Sequence, residues 1–432
     1  MVTTNVTGNI TTPPSTLDTF LAPLIGALCA LATLTIWLEG AYVERCIHAA
    51  ILLLAAVVVV VRGPPRPRFL LVALTAVALW GPLQLIADGS VYRYETWTAA
   101  LRWATLTATF YLAYEALGNR AIRQRSRTLL AAFGAAMAVY ALVQAYTSQG
   151  AYFWLFASGQ PQVFGPFQNP NNYAAFIELI LPLTLWEGLK RPRYRTAWFT
   201  MAGAMAASVV ASGSRAGSAL IAVEIPAVFA AAYLWRQFPR AQVAAAFAKM
   251  AVVAALCLAA GGWETLRLRL SVMDLFLYRR EMLHSAIAMV KARPWTGFGL
   301  GTFPTMYPAY AVFDNGTYVN HAHNDWAEWA AEGGLPFLLL LGAIAVRSSF
   351  AAIRSGWGLG LVVVYVHALV DFPMQRTGLA IWVFVVGAML AVEPFESKRR
   401  QREAAGDQDR PRRAAIAENQ LDERTLGERL EA

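Results

Sequence analysis

Apolar stretches long enough to cross a bilayer recur along the whole chain with short polar interruptions, and no other feature restricts its fold so severely. Crossing about 30 Å of hydrocarbon at about 1.5 Å per residue takes roughly 20 residues of helix. Such stretches lie near 18–38, 46–61, 69–87, 97–117, 128–147, 173–188, 195–212, 217–235, 242–262, 325–346, 357–371 and 377–393, twelve in all. With 57% of its 432 residues hydrophobic and 15% charged, the chain has more apolar surface than a water-soluble core could bury.

The gaps between the stretches test the count, because short loops retain Lys and Arg on the cytoplasmic side. With a cytoplasmic N-terminus the even-numbered gaps should be basic. They hold Arg62, Arg66 and Arg68, then Arg120, Arg123, Arg125 and Arg127, then Lys190, Arg191, Arg193 and Arg195, then Arg236 and Arg240, and last Arg347 and Arg354. Against these fifteen, the short odd-numbered gaps hold four: Arg45, Arg93, Arg215 and Arg376. The pattern predicts an all-α, polytopic integral membrane protein of about 12 transmembrane helices, N-in and C-in, with residues 1–395 as the transmembrane domain.

Much of the net charge of +9 then belongs to topology and to contact with anionic membrane lipids, and no nucleic acid motif is present. The first seventeen residues lack the basic region of a cleavable signal, so helix 1 is expected to stay as an anchor. Cys29, Cys46 and Cys257 fall in apolar spans without CxxC spacing and read as small buried hydrophobes. Residues 396–432, with Lys398, Arg399, Arg400 and Arg402 followed by mixed charges, read as a solvated cytoplasmic tail.

Residues 262–324, between helices 9 and 10, are too many for a connector and are predicted to be a partly helical periplasmic loop that carries the chemistry. From Val272 to Ala292 the apolar residues Leu275, Leu283, Ala286 and Val290 recur at helical steps before Pro294, which predicts an amphipathic helix near the membrane surface with Arg280 and His284 on one face. Gly297-Phe-Gly-Leu-Gly301 has no preceding strand, so it reads as a flexible hinge and not as a dinucleotide fingerprint. Asn320-His-Ala-His-Asn-Asp-Trp326 puts His321 and His323, two of only five histidines, at the mouth of helix 10. Imidazoles there suit a general base or a hydrogen-bond donor. A metal site with Asp325 competes, but no third or fourth ligand is evident, so no metal or other cofactor is expected. Plain capping of helix 10 is the third reading.

Arg215 stands alone in the gap Ser212-Gly-Ser-Arg-Ala-Gly217. It either snorkels to lipid headgroups or grips phosphate with its permanently charged fork. The run Phe164-Gly-Pro-Phe-Gln-Asn-Pro-Asn-Asn172 is a turn whose asparagines offer uncharged donors and acceptors of the kind a sugar needs. His367 and Asp371, four apart, are expected to hydrogen-bond each other for structural reasons.

Taken in order, these pieces resemble the O-antigen ligase and polymerase superfamily, bacterial membrane glycosyltransferases that use a glycan on a polyprenyl diphosphate. The resemblance runs from about Phe164 to Asp371 through the Asn-rich turn, Ser-Gly-Ser-Arg215-Ala-Gly, Tyr-Arg-Arg280, Pro294-Trp-Thr-Gly-Phe-Gly-Leu-Gly-Thr-Phe303, His-Ala-His323-Asn-Asp-Trp and His-Ala-Leu-Val-Asp371-Phe-Pro. One departure concerns the ligase subtype: beyond Gly334 the chain has Phe337 where the ligase pattern calls for Gly, Thr or Tyr.

The resemblance implies that Arg215, Arg280 and His323 are catalytic, with Arg279, Asn169, Asn172, His321 and Asn324 as further contacts to diphosphate or glycan. It also implies an undecaprenyl-diphosphate-linked glycan donor, a lipid A core or other glycan acceptor, and an inner-membrane protein whose site faces the periplasm. Ligase is the favoured reading, followed by polymerase, protein O-oligosaccharyltransferase and a transporter of lipid-linked glycan.

Overall fold

A helix occupies each of the twelve apolar stretches, and among the described residues two further helices lie in the long loop. The computed structural model describes residues 16–38, 41–63, 65, 68–160, 162–235, 238–257, 275–312, 316 and 318–393. In chain order the helices are α1 (Thr16–Leu34), α2 (Ala41–Arg62), α3 (Phe69–Ile86), α4 (Arg93–Ala116), α5 (Arg120–Thr147), α6 (Pro170–Lys190), α7 (Arg195–Ser212), α8 (Arg215–Leu234), α9 (Arg240–Cys257), α10 (Leu275–Ala292), α11 (Phe303–Tyr310), α12 (Asp325–Ser355), α13 (Leu359–His367) and α14 (Thr377–Glu393). Two-residue strands, Ala151–Tyr152 and Phe156–Ala157, make a small antiparallel hairpin against Trp37. The tail expected at 396–432 and the loop up to Asp274 lie outside the described residues.

Among the described residues, α1, α2, α3, α5, α8 and α12 are both long and apolar enough to cross a membrane. They present much of their surface outward, so hydropathy marks them. Helix α6 is buried from Asn172 to Leu189 by α5, α7, α8 and α13. Sheltered from lipid, it can carry Glu178 and Glu187, which lower its hydropathy. The stretch expected to cross at 357–371 needs correction: α13 has nine residues, about 14 Å of helix. It ends at His367, and the chain then turns through Asp371.

The basic gaps gather at one end of the bundle. Arg62 reaches Asp18 and Glu115, joining α1, α2 and α4. Arg127 meets Glu393 of α14 at 2.5 Å, and Arg191 meets Glu187 at 3.2 Å. Helix α5 starts earlier than expected, at Arg120, because the Asn119 side chain accepts from the N–H groups of Ala121 and Ile122 and so caps it. Its arginines therefore occupy the first two turns and not a loop.

Helix α12 is broken at Gly334, whose φ of 77° and ψ of 174° are not helical. A break in a membrane helix exposes backbone groups that must be satisfied by protein. The glycine-rich segment supplies the partners: Phe298 N–H donates to Ala331 O (3.1 Å), Gly299 N–H to Glu332 O (2.9 Å), and Leu335 N–H to Pro294 O (2.7 Å). Trp80 Nε1 donates to Gly333 O at 3.1 Å. Gln84 Nε2 bridges Thr296 O (2.8 Å) and Glu332 O (2.9 Å), while its Oε1 accepts from Leu300 N–H (3.0 Å). A Cβ on Gly297, at φ +64°, would lie 2.2 Å from Glu332 O. The segment expected to be a flexible hinge is therefore a tightly packed joint, since its backbone replaces the missing helical hydrogen bonds of α12.

Candidate active site

Three helix starts and one turn meet at the end of the bundle opposite the basic residues. At the first, Gly213 adopts φ 69° and ends α7, and Ser214 caps α8 through Gly217 N–H at 3.0 Å. So short a turn makes Arg215 the first residue of α8, half-buried. At the second, Asn169 caps α6 by accepting from Asn171 N–H at 2.8 Å, with Pro170 in the first turn. Asn171 Oδ1 then accepts from Ser214 Oγ at 2.6 Å, and its Nδ2 donates to Asp371 Oδ2. At the third, Asn324 caps α12 through Ala327 N–H (2.9 Å) and donates to Leu369 O (2.8 Å).

The turn between α13 and α14 puts Asp371 among these ends, fully buried. Arg279 of α10 donates to its Oδ2 at 3.0 Å and to Val370 O at 3.0 Å. Phe372 N–H occupies Oδ1 at 2.9 Å. His323 Nδ1 stands 3.6 Å from the same Oδ1, an electrostatic approach longer than a hydrogen bond. Burial alone would push the Asp371 carboxyl up, but the neighbouring His323 imidazole, the Arg279 guanidinium and His367 hold it below the usual carboxylate range. His323 itself has φ +49°, a strained backbone for a side-chain-bearing residue, and its ring stands edge-on to Phe372 at 4.8 Å.

His321, two residues earlier, turns to a different carboxylate. Its Nδ1 lies 3.0 Å from Glu328 Oε1, and its ring lies against Phe372 at 4.4 Å. Glu328 Oε2 accepts from Ala322 N–H at 2.7 Å. The two histidines thus diverge to separate acids, and among the described residues no group of three or more His, Cys, Asp or Glu side chains is arranged to hold a metal ion.

The loop helix α10 packs Glu281, Ser285, Ala286 and Met289 inward, and leaves Arg280 and His284 exposed on its outer face. Its buried side rests on α11 and α12, so its apolar stripe covers protein instead of lying on lipid. The structure thus joins Arg279 and His323 through Asp371, with Arg280 adjacent on α10 and Arg215 one residue from Ser214. Of the three asparagines chosen from sequence, Asn169 and Asn324 are used as helix caps, and Asn172 is 2% exposed.

Two expectations change. His367 does not bond the Asp371 side chain; its Nδ1 meets Glu178 Oε2 at 2.8 Å and Oε1 at 3.1 Å, because α13 packs along α6. Asp371, expected to serve the His367 pair, belongs to the His323 and Arg279 cluster. Asn171, Ser214 and Glu328 were not singled out from sequence. Ser214 was legible as a cap between two helices, and Glu328 as an acid in the first turns of α12; Asn171 had no signal beyond its place in the Asn-rich turn.

A bundle of several helices able to span a membrane, with histidine, carboxylate and arginine gathered at one end, defines a multi-pass membrane protein with a candidate active site. Residues 200–342 match the model of the O-antigen ligase family. That segment, about a third of the chain, is thus similar to the O-antigen ligase family. The matched segment contains Arg215, Arg279, Arg280, His321 and His323 and stops short of Asp371. No curated protein matches the chain.

Proposed function

We propose that this enzyme transfers a glycan from undecaprenyl diphosphate to a hydroxyl of a lipid A core oligosaccharide, at the periplasmic face of a bacterial inner membrane. The observation that carries the reading is His323 set against the buried Asp371 beside Arg279, at the end away from the arginine-rich gaps. Positive residues stay in the cytoplasm, so the opposite end faces outward.

In this reading His323 takes the proton of the acceptor hydroxyl as its oxygen attacks C1 of the donor sugar. The bond from C1 to the diphosphate oxygen breaks, and the electron pair leaves with the diphosphate. Attack opposite the leaving group inverts the anomeric centre. Arg280 and Arg215 meet the charge that develops on the diphosphate, which calls for no metal. Arg279 is committed to Asp371 and Val370, so it tethers α10 and leaves the diphosphate to Arg280, its exposed neighbour.

Purified protein with lipid-diphosphate-linked glycan and separate acceptors tests this. Replacement of His323 by Ala should cut transfer by roughly 10²–10⁴-fold, and Arg280→Ala by about 10²-fold. Full transfer by both variants would remove the assignment. A ladder of lengthened lipid-linked glycan with no transfer to lipid A core would make the enzyme a polymerase.

A further inference from the structure

We infer that His321 and Glu328 form an acceptor-side subsite that receives a sugar hydroxyl at His321 Nε2, separate from the groups that meet the diphosphate. The inference rests on the glycosyltransferase reading and divides that site into two sides.

Glu328 is buried and spends both oxygens on one short segment, Oε1 on His321 Nδ1 at 3.0 Å and Oε2 on Ala322 N–H at 2.7 Å. A carboxylate can only accept, so the ring donates to it through Nδ1–H, and the neutral ring then presents the Nε2 lone pair on its other side. The ring is held against Phe372 at 4.4 Å with an interplanar angle of 31°, and the side chain keeps 21% of its surface open. This is an oriented acceptor and not a loose surface imidazole.

What it can accept from is limited. Ionised diphosphate oxygens have no proton to give, and the Glu328 carboxylate behind the ring repels them. A sugar hydroxyl supplies the proton required. The His323 side is built differently, because the charge of Asp371 is met there by Arg279 and Asn171, leaving no unneutralised anion to repel a phosphate. Phe372 lies against both imidazoles, tilted by 31° to His321 at 4.4 Å and T-shaped to His323 at 4.8 Å. Glu328 acts through His321 and is a positioning residue.

The test is steady-state transfer by the full-length protein in detergent, with donor and a lipid A core oligosaccharide varied independently. Replacement of His321 by Ala should raise the acceptor KM about tenfold, the loss of one well-aligned hydrogen bond, with donor KM unchanged. Glu328→Gln keeps an acceptor for Ala322 N–H but removes the charge; it should raise the acceptor KM about threefold, again without moving the donor KM. An unchanged donor KM also shows that each variant is folded around its donor. A rise in donor KM, or an acceptor KM that neither variant moves, overturns the subsite. Absence of transfer by the wild-type protein with any hydroxyl acceptor would sink the glycosyltransferase reading and this inference with it.

Discussion

Asp371 has more duties than any other side chain at the site. One buried carboxylate accepts from Arg279, Asn171 and its neighbour's backbone, and faces His323. Replacing it by Asn leaves Arg279 without its anion, at a cost of about 2 kcal/mol given that Arg279 is partly open to solvent. The pH dependence has a definite sign. A carboxyl held below its ordinary value stabilises the fold above that ordinary range, and the contribution is lost as pH falls through its own lowered value. Wild type should therefore unfold at higher temperature than Asp371→Asn at pH 7, and the difference should close toward pH 3. A gap constant across that range in detergent melting would show that the carboxylate's charge is not what matters. Sequence alone could not expose this role. His367 at four-residue spacing was the obvious partner for Asp371, but helix packing sends His367 to Glu178 and gives Asp371 to residues 48 and 92 positions away.

At the scale of elements, the joint between 294–301 and the break in α12 sets where the helix begins its crossing. Gly297→Ala puts a Cβ where Glu332 O now stands and forces a positive φ on a side-chain-bearing residue, so a loss of about 3 kcal/mol or more is expected. Gln84→Leu orphans Thr296 O and Leu300 N–H in a buried place and should cost about 2–3 kcal/mol. Melting temperatures of the two variants measure both, and a melting temperature unchanged by Gln84→Leu would mean that water replaces the amide there. The glycines were visible in the sequence; their meaning was not. A run of glycines reads as flexibility unless the strand of backbone that packs against it is known, and that strand lies more than thirty residues downstream. Helix α11 escaped notice for a local reason: its eight residues include Pro304 and Pro308, which discourage a helical reading.

For the whole molecule, the proposed orientation in the membrane rests on charge and is open to direct measurement. With Cys29, Cys46 and Cys257 removed, a cysteine placed at Tyr318, exposed three residues before His321, should react with a membrane-impermeant maleimide from the periplasm. One at Tyr194, exposed at the basic end, should react only after lysis. The opposite pattern would invert the topology and move the site to the cytoplasm.

Hydrophobic periodicity and the positions of Lys and Arg determined by themselves that the chain is a helical bundle of many membrane segments and which connections share an end. Those properties are local, set by transfer of each segment from water to hydrocarbon. Tertiary structure alone decided that α6 is a sheltered centre able to hold carboxylates, that α13 is only nine residues long, and that His321 and His323 serve different acids. These depend on which helices touch, and partners such as Asn171 and Asp371, 200 residues apart, become neighbours only when the bundle closes.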